Sequence, residues 1–168
     1  MSTHEYDIVV VGSGTSGCYA AATAAREGLD VAVVERKDEQ EAGHIACGDA
    51  LKGADSFPDA IPKSKIESSF TNTGVDHGRF EVPSEDTVLN IPVPGELAVI
   101  DRWEFGRKLI DAASDAGAEF HYDTVVTDVL QTDSGRVTGV RGKRKGEVET
   151  FEADVTVDAA GALSVLQD

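Results

Sequence analysis

The chain has 168 residues, 40% of them apolar, a length and composition suited to one compact domain with a real core. Its 31 acidic and 15 basic residues give a net charge of −16, which excludes nucleic-acid or anionic-membrane binding by bulk attraction. Any phosphate this chain holds must be met locally. The acidity is spread along the whole chain, as expected of a surface adapted to concentrated salt, where carboxylate repulsion is screened. Cys18 and Cys47 show no CxxC spacing and no histidine at zinc spacing, so neither a disulfide framework nor a structural metal is expected. No signal peptide or bilayer-length apolar run is visible, and a cytoplasmic folding site is the expectation.

In chain order, Ile8 to Val11 is a continuous apolar run, as a central parallel strand covered on both faces requires. Gly12, Gly14 and Gly17 follow in GxGxxG spacing. Gly12 permits the tight turn, Gly14 lets the backbone approach a pyrophosphate, and Gly17 lets the next helix lie close to the strand. That helix is predicted over residues 15–27. Its alanines Ala20, Ala21, Ala22, Ala24 and Ala25 allow close approach to a sheet, and Gly28 stops it. A second strand over 30–35 ends in Glu35, placed to bond the ribose hydroxyls of an adenosine. The fingerprint has its strand, its helix and its acidic residue in place, which makes a dinucleotide site the expectation. Cys18 reads as a small buried helix residue.

Residues 36–53 are polar and lack periodicity, as a loop over a ligand would be. Residues 56–96, with all five prolines, read as an irregular β insertion that ends near a short strand over 97–100. Asp101 caps a helix with Glu104 at the reciprocal capping position. Trp103, Phe105, Leu109, Ile110 and Ala113 supply its apolar positions, and Gly117 ends it. A strand follows over 118–122. Three antiparallel strands over 125–131, 136–142 and 148–151 then form a meander within 124–152, turning at Asp133-Ser-Gly135 and Lys145-Gly-Glu147. A last strand over 154–159 runs into Ala160-Gly161.

The order of these elements resembles FAD flavoproteins of the two-dinucleotide-binding type more than simple nicotinamide dehydrogenases. Three blocks narrow the likeness: Val34-Glu-Arg-Lys37 with Cys47-Gly-Asp-Ala-Leu51, Ile100-Asp-Arg-Trp-Glu-Phe-Gly-Arg-Lys-Leu109, and Val157-Asp-Ala-Ala-Gly161 with Ser164. They are similar to the Cys-Gly-Glu-Gly-Leu loop, the Asp-Arg-x-x-Phe-Asp helix start and the Ala-Asp-Gly-x-x-Ser element of the geranylgeranyl reductase family. Departures fall at Asp49 and Ala50, at Gly106 and at Ala160.

The resemblance implies a Rossmann-like α/β FAD-binding domain with an antiparallel β meander, incomplete over residues 1–168 and lacking the family's C-terminal substrate domain. By resemblance, Gly12, Gly14, Ser16 and Gly17 meet the pyrophosphate and Glu35 the ribose. Cys47, Gly48 and Ala50 lie on the flavin side, with Cys47 the candidate catalytic residue that protonates or positions. Arg102 approaches the phosphates or ribityl chain, Val126 offers backbone contacts to adenine, and Gly161 closes the second nucleotide element. The implied substrate is a prenylated lipid, the electron donor ferredoxin or NADPH, and the full-length enzyme would meet the membrane peripherally. The late Gly-Asp flavin element of that family would come after Asp168, so the chain alone is expected to be inactive. An FAD-dependent monooxygenase or dehydrogenase of the same fold, and a non-catalytic flavin-binding fragment, share the nucleotide motifs and stay open on sequence alone.

Overall fold

The computed structural model describes residues 2–44, 49–52 and 58–164. Strand β1 (Ser2–Val11), helix α1 (Thr15–Arg26) and strand β2 (Val31–Val34) form the expected βαβ unit. Helix α1 buries Gly17, Cys18, Ala21, Ala22 and Ala25, one face of a 3.6-residue period made of small side chains. Strand β3 (Ala50–Lys52), the single-turn helix α2 (Lys63–Ile66), and strands β4 (Phe70–Val82) and β5 (Thr87–Ile100) follow. Then come helix α3 (Arg102–Asp115) and strands β6 (Glu119–His121), β7 (Thr124–Gln131), β8 (Val137–Arg144) and β9 (Glu147–Asp158).

Six strands form one sheet in the order β6-β2-β1-β9-β8-β7, and β3-β5-β4 form a second, antiparallel sheet. The first four are mutually parallel, whereas β9, β8 and β7 pair antiparallel. The meander and the strand that runs into Ala160-Gly161 are thus one element. Separate strands over 148–151 and 154–159 are the sequence expectation because Glu152-Ala153-Asp154 interrupts the apolar run. In the fold β9 passes straight through that stretch, bonding β8 through its first half and β1 along its length.

Strand β1 is also shared, and it changes face at Asp7. Ile8 and Val10 pack beneath α1 and α3 with Phe105, Leu109 and Ile110. Val9 and Val11 face the opposite way, against Ala32, Val34, Val140 and Phe151, and Tyr6 joins them although alternation alone would put it with Ile8. The β1–β9 register passes over Asp7, between Tyr6↔Ala153 and Ile8↔Val155. At that step the Asp7 and Ile8 amides both donate to the Asp30 carbonyl, and the Asp7 carboxylate accepts from the Asp30 amide at 2.8 Å. The meander half therefore curls over the face of the parallel half that α1 leaves open.

Over its described residues, 58–96, the stretch expected as an irregular insertion is more regular than its prolines suggest. Strands β4 and β5 make one long hairpin, with register shifts between Phe70 and His77, and Pro83 opens the tight turn at its tip. The 97–100 strand is the end of β5. At the head of α3, Asp101 Oδ1 accepts from the Glu104 amide at 2.9 Å, so the cap forms as expected. The reciprocal half does not: the Asp101 amide donates to the Ser69 carbonyl at 2.7 Å, and the Glu104 carboxylate instead meets Ser68 and Lys108. Gly117, at φ +112, lies just past the helix end.

Gly106 is in place because α3 touches the 41–44 loop backbone to backbone. A Cβ at Gly106 would strike the Gly43 carbonyl, with the Gly43 carbonyl carbon only 2.6 Å away. Gly106→Ala is expected to lower the unfolding free energy by about 1–3 kcal/mol, the usual cost of overpacking, as read by urea titration.

His121 is buried, its Nε2 2.8 Å from the Tyr6 hydroxyl, and its ring meets His4 and Phe151. Burial holds its pKa below the ordinary histidine value, against the opposing pull of Glu119. As pH falls through about 6.5 the unfolded chain takes up this proton before the folded chain does. The contribution of His121 is therefore full above that pH and is lost as pH falls through the lower folded value. His121→Gln should remove that component from a plot of urea midpoint against pH.

Candidate functional site

The carboxyl ends of β1, β2 and β9 open onto one cleft of about 610 Å³, within the usual size of a small-molecule site. Its walls are Val11–Gly14 after β1, Val34–Lys37 after β2, Gly43 and His44 of the loop, Thr124–Val126 at the start of β7, and Ala159–Ala162 after β9. The chain leaves β1 through α1 toward β2 on one side, while β9 lies on the other. This is the switch point at which open parallel sheets bind ligands.

The glycines divide the work. Gly12 has φ +100, and a Cβ there would come within 2.6 Å of the Ala159 carbonyl oxygen, so both its turn and its contact with the end of β9 need glycine. A Cβ at Gly17 would collide with the Gly12 carbonyl, which seats α1 against the turn. Gly14 has an ordinary φ of −68, and a Cβ there would meet nothing within 4 Å, so the fold itself makes no demand for glycine at this position. It is the N-cap of α1, without a side-chain cap bond and with no acidic residue in the first turn. Gly14 lines the cleft, so the uncapped N-terminus of α1, the positive end of its dipole, lies at the cleft wall, where an anionic ligand is favoured.

Glu35 is 7% exposed and held from three directions. Oε2 accepts from the Ser13 amide at 2.8 Å and the Ser13 hydroxyl at 2.7 Å, and Oε1 accepts from the Lys37 amide at 2.8 Å. Its backbone is tied as well, the amide to the His121 carbonyl and the carbonyl to the Thr124 amide, both at 2.9 Å. Three of about four carboxylate lone-pair positions are used, which leaves one on Oε1 for a ligand hydroxyl. Cys18 lies beneath: its thiol donates to the Ser13 carbonyl at 3.3 Å, and burial, with Glu35 nearby, pushes its pKa up to about 12. It is an inert packing thiol, as the sequence suggests.

Gly12, Gly14, Glu35, Val126 and Gly161 are thus brought together around one cleft, with Gly17 packed directly behind it. Ser16 is exposed on the first turn of α1 and does not line the cleft. Ala50 is exposed on β3, paired with Val99 in the second sheet. Arg102 opens α3, its guanidinium 5.5 Å from the Phe105 ring centre, and its buried Nε has no hydrogen-bond partner among the described residues. Cys47 and Gly48 lie outside the described residues. The residues that sequence reasoning passes over are Ser13, hidden as an ordinary turn serine, and Gly43 and His44. The His44 carbonyl accepts from Lys37 Nζ, and its ring meets Trp103 edge-on at 5.6 Å.

Residues 7–167 match the FAD dependent oxidoreductase family. The chain is 34% identical over 166 residues to the digeranylgeranylglycerophospholipid reductase of Methanocella arvoryzae, covering 95% of this chain and 40% of that protein. It is 30% identical over 164 residues to the protein of that name from Haloferax volcanii, covering 98% of this chain and 37% of the relative. Among solved structures, a geranylgeranyl bacteriochlorophyll reductase-like protein from Thermoplasma acidophilum superposes with a TM-score of 0.75 at 26% identity, over 95% of this chain and 40% of its own. The chain belongs to the FAD dependent oxidoreductase family, has its Rossmann-like fold, and takes FAD as its cofactor. It resembles the digeranylgeranylglycerophospholipid reductases within that family and spans about 40% of their length.

The open space at Gly14 gives a direct check on the cleft. Gly14→Ala should change the stability of the free protein by no more than about 1 kcal/mol, since alanine accepts that backbone conformation and stiffens the unfolded chain but is a poorer N-cap than glycine. FAD binding, followed by flavin fluorescence quenching, should weaken by about 1–3 kcal/mol as the methyl group crowds the ligand.

Proposed function

We propose that this chain is the FAD-binding portion of a reductase that saturates the prenyl double bonds of a membrane ether lipid. One observation carries the cofactor side: a carboxylate locked beside an uncapped helix N-terminus at the switch point of a parallel sheet. The lipid side rests on the likeness to proteins called digeranylgeranylglycerophospholipid reductase. When bound, FAD supplies the two-electron reducing power that an unpolarised alkene requires and no side chain can provide.

The residues of this chain have the following roles. The amides at the start of α1 receive the pyrophosphate through the gap at Gly14. Glu35 accepts a ribose hydroxyl through Oε1. Val126 lies along the adenine, and Gly161 ends the second nucleotide element behind the pyrophosphate. Ser16 serves the pyrophosphate, and Arg102 the phosphates or the ribityl chain. Cys47, with Gly48 and Ala50, serves the flavin side, where its thiol positions or protonates the substrate. The substrate domain belongs to the length that the relatives have beyond this match, and with it the enzyme meets its lipid at the membrane surface from the cytoplasmic side. Among the described residues no helix is long and apolar enough to cross a membrane.

The chain purified in concentrated salt should take up FAD and show a bound-flavin spectrum. Joined to the C-terminal length its relatives carry, it should convert a geranylgeranyl ether lipid to the saturated form, with either reduced ferredoxin or NADPH as donor. A hydroxylated product would reassign it as a monooxygenase. A bound flavin without turnover in the joined protein would leave a binding module. Unchanged turnover in Cys47→Ala would remove the thiol from the mechanism.

A further inference from the structure

Beyond holding FAD, the cleft contains a side chain whose position has no explanation in the glycine fingerprint. Ser13 sits between Gly12 and Gly14, is 4% exposed, and uses every polar atom it has on the protein itself. Its amide and hydroxyl both end on Glu35 Oε2, and its carbonyl accepts from the Cys18 thiol. A turn that only had to bring amides to a pyrophosphate would need no hydroxyl at this place. We infer that Ser13 is a positioning residue that fixes the Glu35 carboxylate so that Oε1, and not Oε2, faces the adenosine ribose, and so sets the preference for a ribose that carries its hydroxyls.

A buried glutamate has three rotatable side-chain bonds, and one main-chain donor at each oxygen leaves the carboxylate free to tilt between them. The second bond to Oε2, charge-assisted and 2.7 Å long, removes that freedom. Ser13 cannot drift to follow the carboxylate, because the Cys18 bond and the adjoining Gly12 turn hold its own backbone. With Oε2 saturated by two donors and one of the two positions on Oε1 taken by the Lys37 amide, the remaining acceptor site has one direction. A ribose hydroxyl that reaches it meets an acceptor already oriented. A ribose lacking its hydroxyls leaves a buried charge one bond short of satisfied. Preorganisation of this kind appears as affinity because the ligand need not order the carboxylate itself.

The inference rests on the proposed FAD site, and the experiment separates the two. Affinities for FAD, ADP and 2′,3′-dideoxy-ADP are measured by calorimetry for the wild-type chain, Ser13→Ala and Ser13→Cys, with thermal unfolding of each free protein alongside. The wild type should prefer ADP to the dideoxy compound. Ser13→Ala should lose about tenfold in FAD and ADP affinity, as for a hydrogen bond to a charged group, while dideoxy-ADP binds as before. Ser13→Cys, nearly isosteric and a weaker donor, should fall between. In a Glu35→Ala background, Ser13→Ala should have no further effect on the ADP preference. If Ser13→Ala and Ser13→Cys keep the wild-type preference for ADP, whatever they do to stability, the positioning role is overturned and the FAD site stands. If the wild-type chain binds neither FAD nor ADP, the FAD site falls and the role of Ser13 with it.

Discussion

Main chain pressed against main chain at the Gly12 turn is the constraint on which the rest of this structure depends. The Gly12 carbonyl occupies the space a side chain at Gly17 would need, and the Ala159 carbonyl occupies the space a side chain at Gly12 would need. Backbone from the end of β9, the turn and α1 is therefore stacked in direct contact, with the Ala159 methyl group beside Gly17. Dispersion and hydrogen bonding set the spacing there, including the Ala159 amide to the Val11 carbonyl at 2.9 Å. Larger residues would push α1 away from the sheet, and its N-terminus would no longer sit at the cleft wall. The same idea recurs at Gly43 and Gly106, where the loop wall of the cleft rests directly on α3.

The buried Glu35 is the second fixed point, and it joins what the turn leaves apart. Through its side chain it reaches Ser13 and Lys37, and through its backbone it reaches His121 and Thr124. The glycine turn, the end of β2, β6 and the start of the meander are thus tied to one residue. A carboxylate this far from solvent is tolerable because it accepts three hydrogen bonds and stands beside a helix N-terminus. What would be a liability in an ordinary core is here a fixed acceptor on the cleft wall.

The nucleotide half of the fold was legible because its signals are local. An apolar run, three glycines at fixed spacing, an alanine face and a terminal glutamate each report on residues a few positions away, and β1, α1 and β2 follow from them. The capping of α3 by Asp101 was equally local. What was not legible depends on residues far apart in the chain. Ser13 reads as a turn residue until Glu35 is seen against it, and Gly106 reads as a departure until Gly43 is seen against it. The face change at Asp7 depends on Asp30, and so Tyr6, His4 and His121 gave no sign of meeting. The β4–β5 hairpin is exposed on both faces along much of its length, so burial imposes no clean alternation, and its register shifts blur what pattern remains.

One strand, β9, belongs to both halves of the large sheet, and this decides how the molecule comes apart. Its first half is bonded to β8 and β1, its second half to β1 alone, and the cleft residues Ala159–Ala162 continue directly from it. No loop separates the meander from the nucleotide half at this point, so neither can open while the other keeps its register. The two halves share one cooperative unit, and their slowest amides, those of Val10 and Phe151 among them, should exchange with solvent through a single opening event.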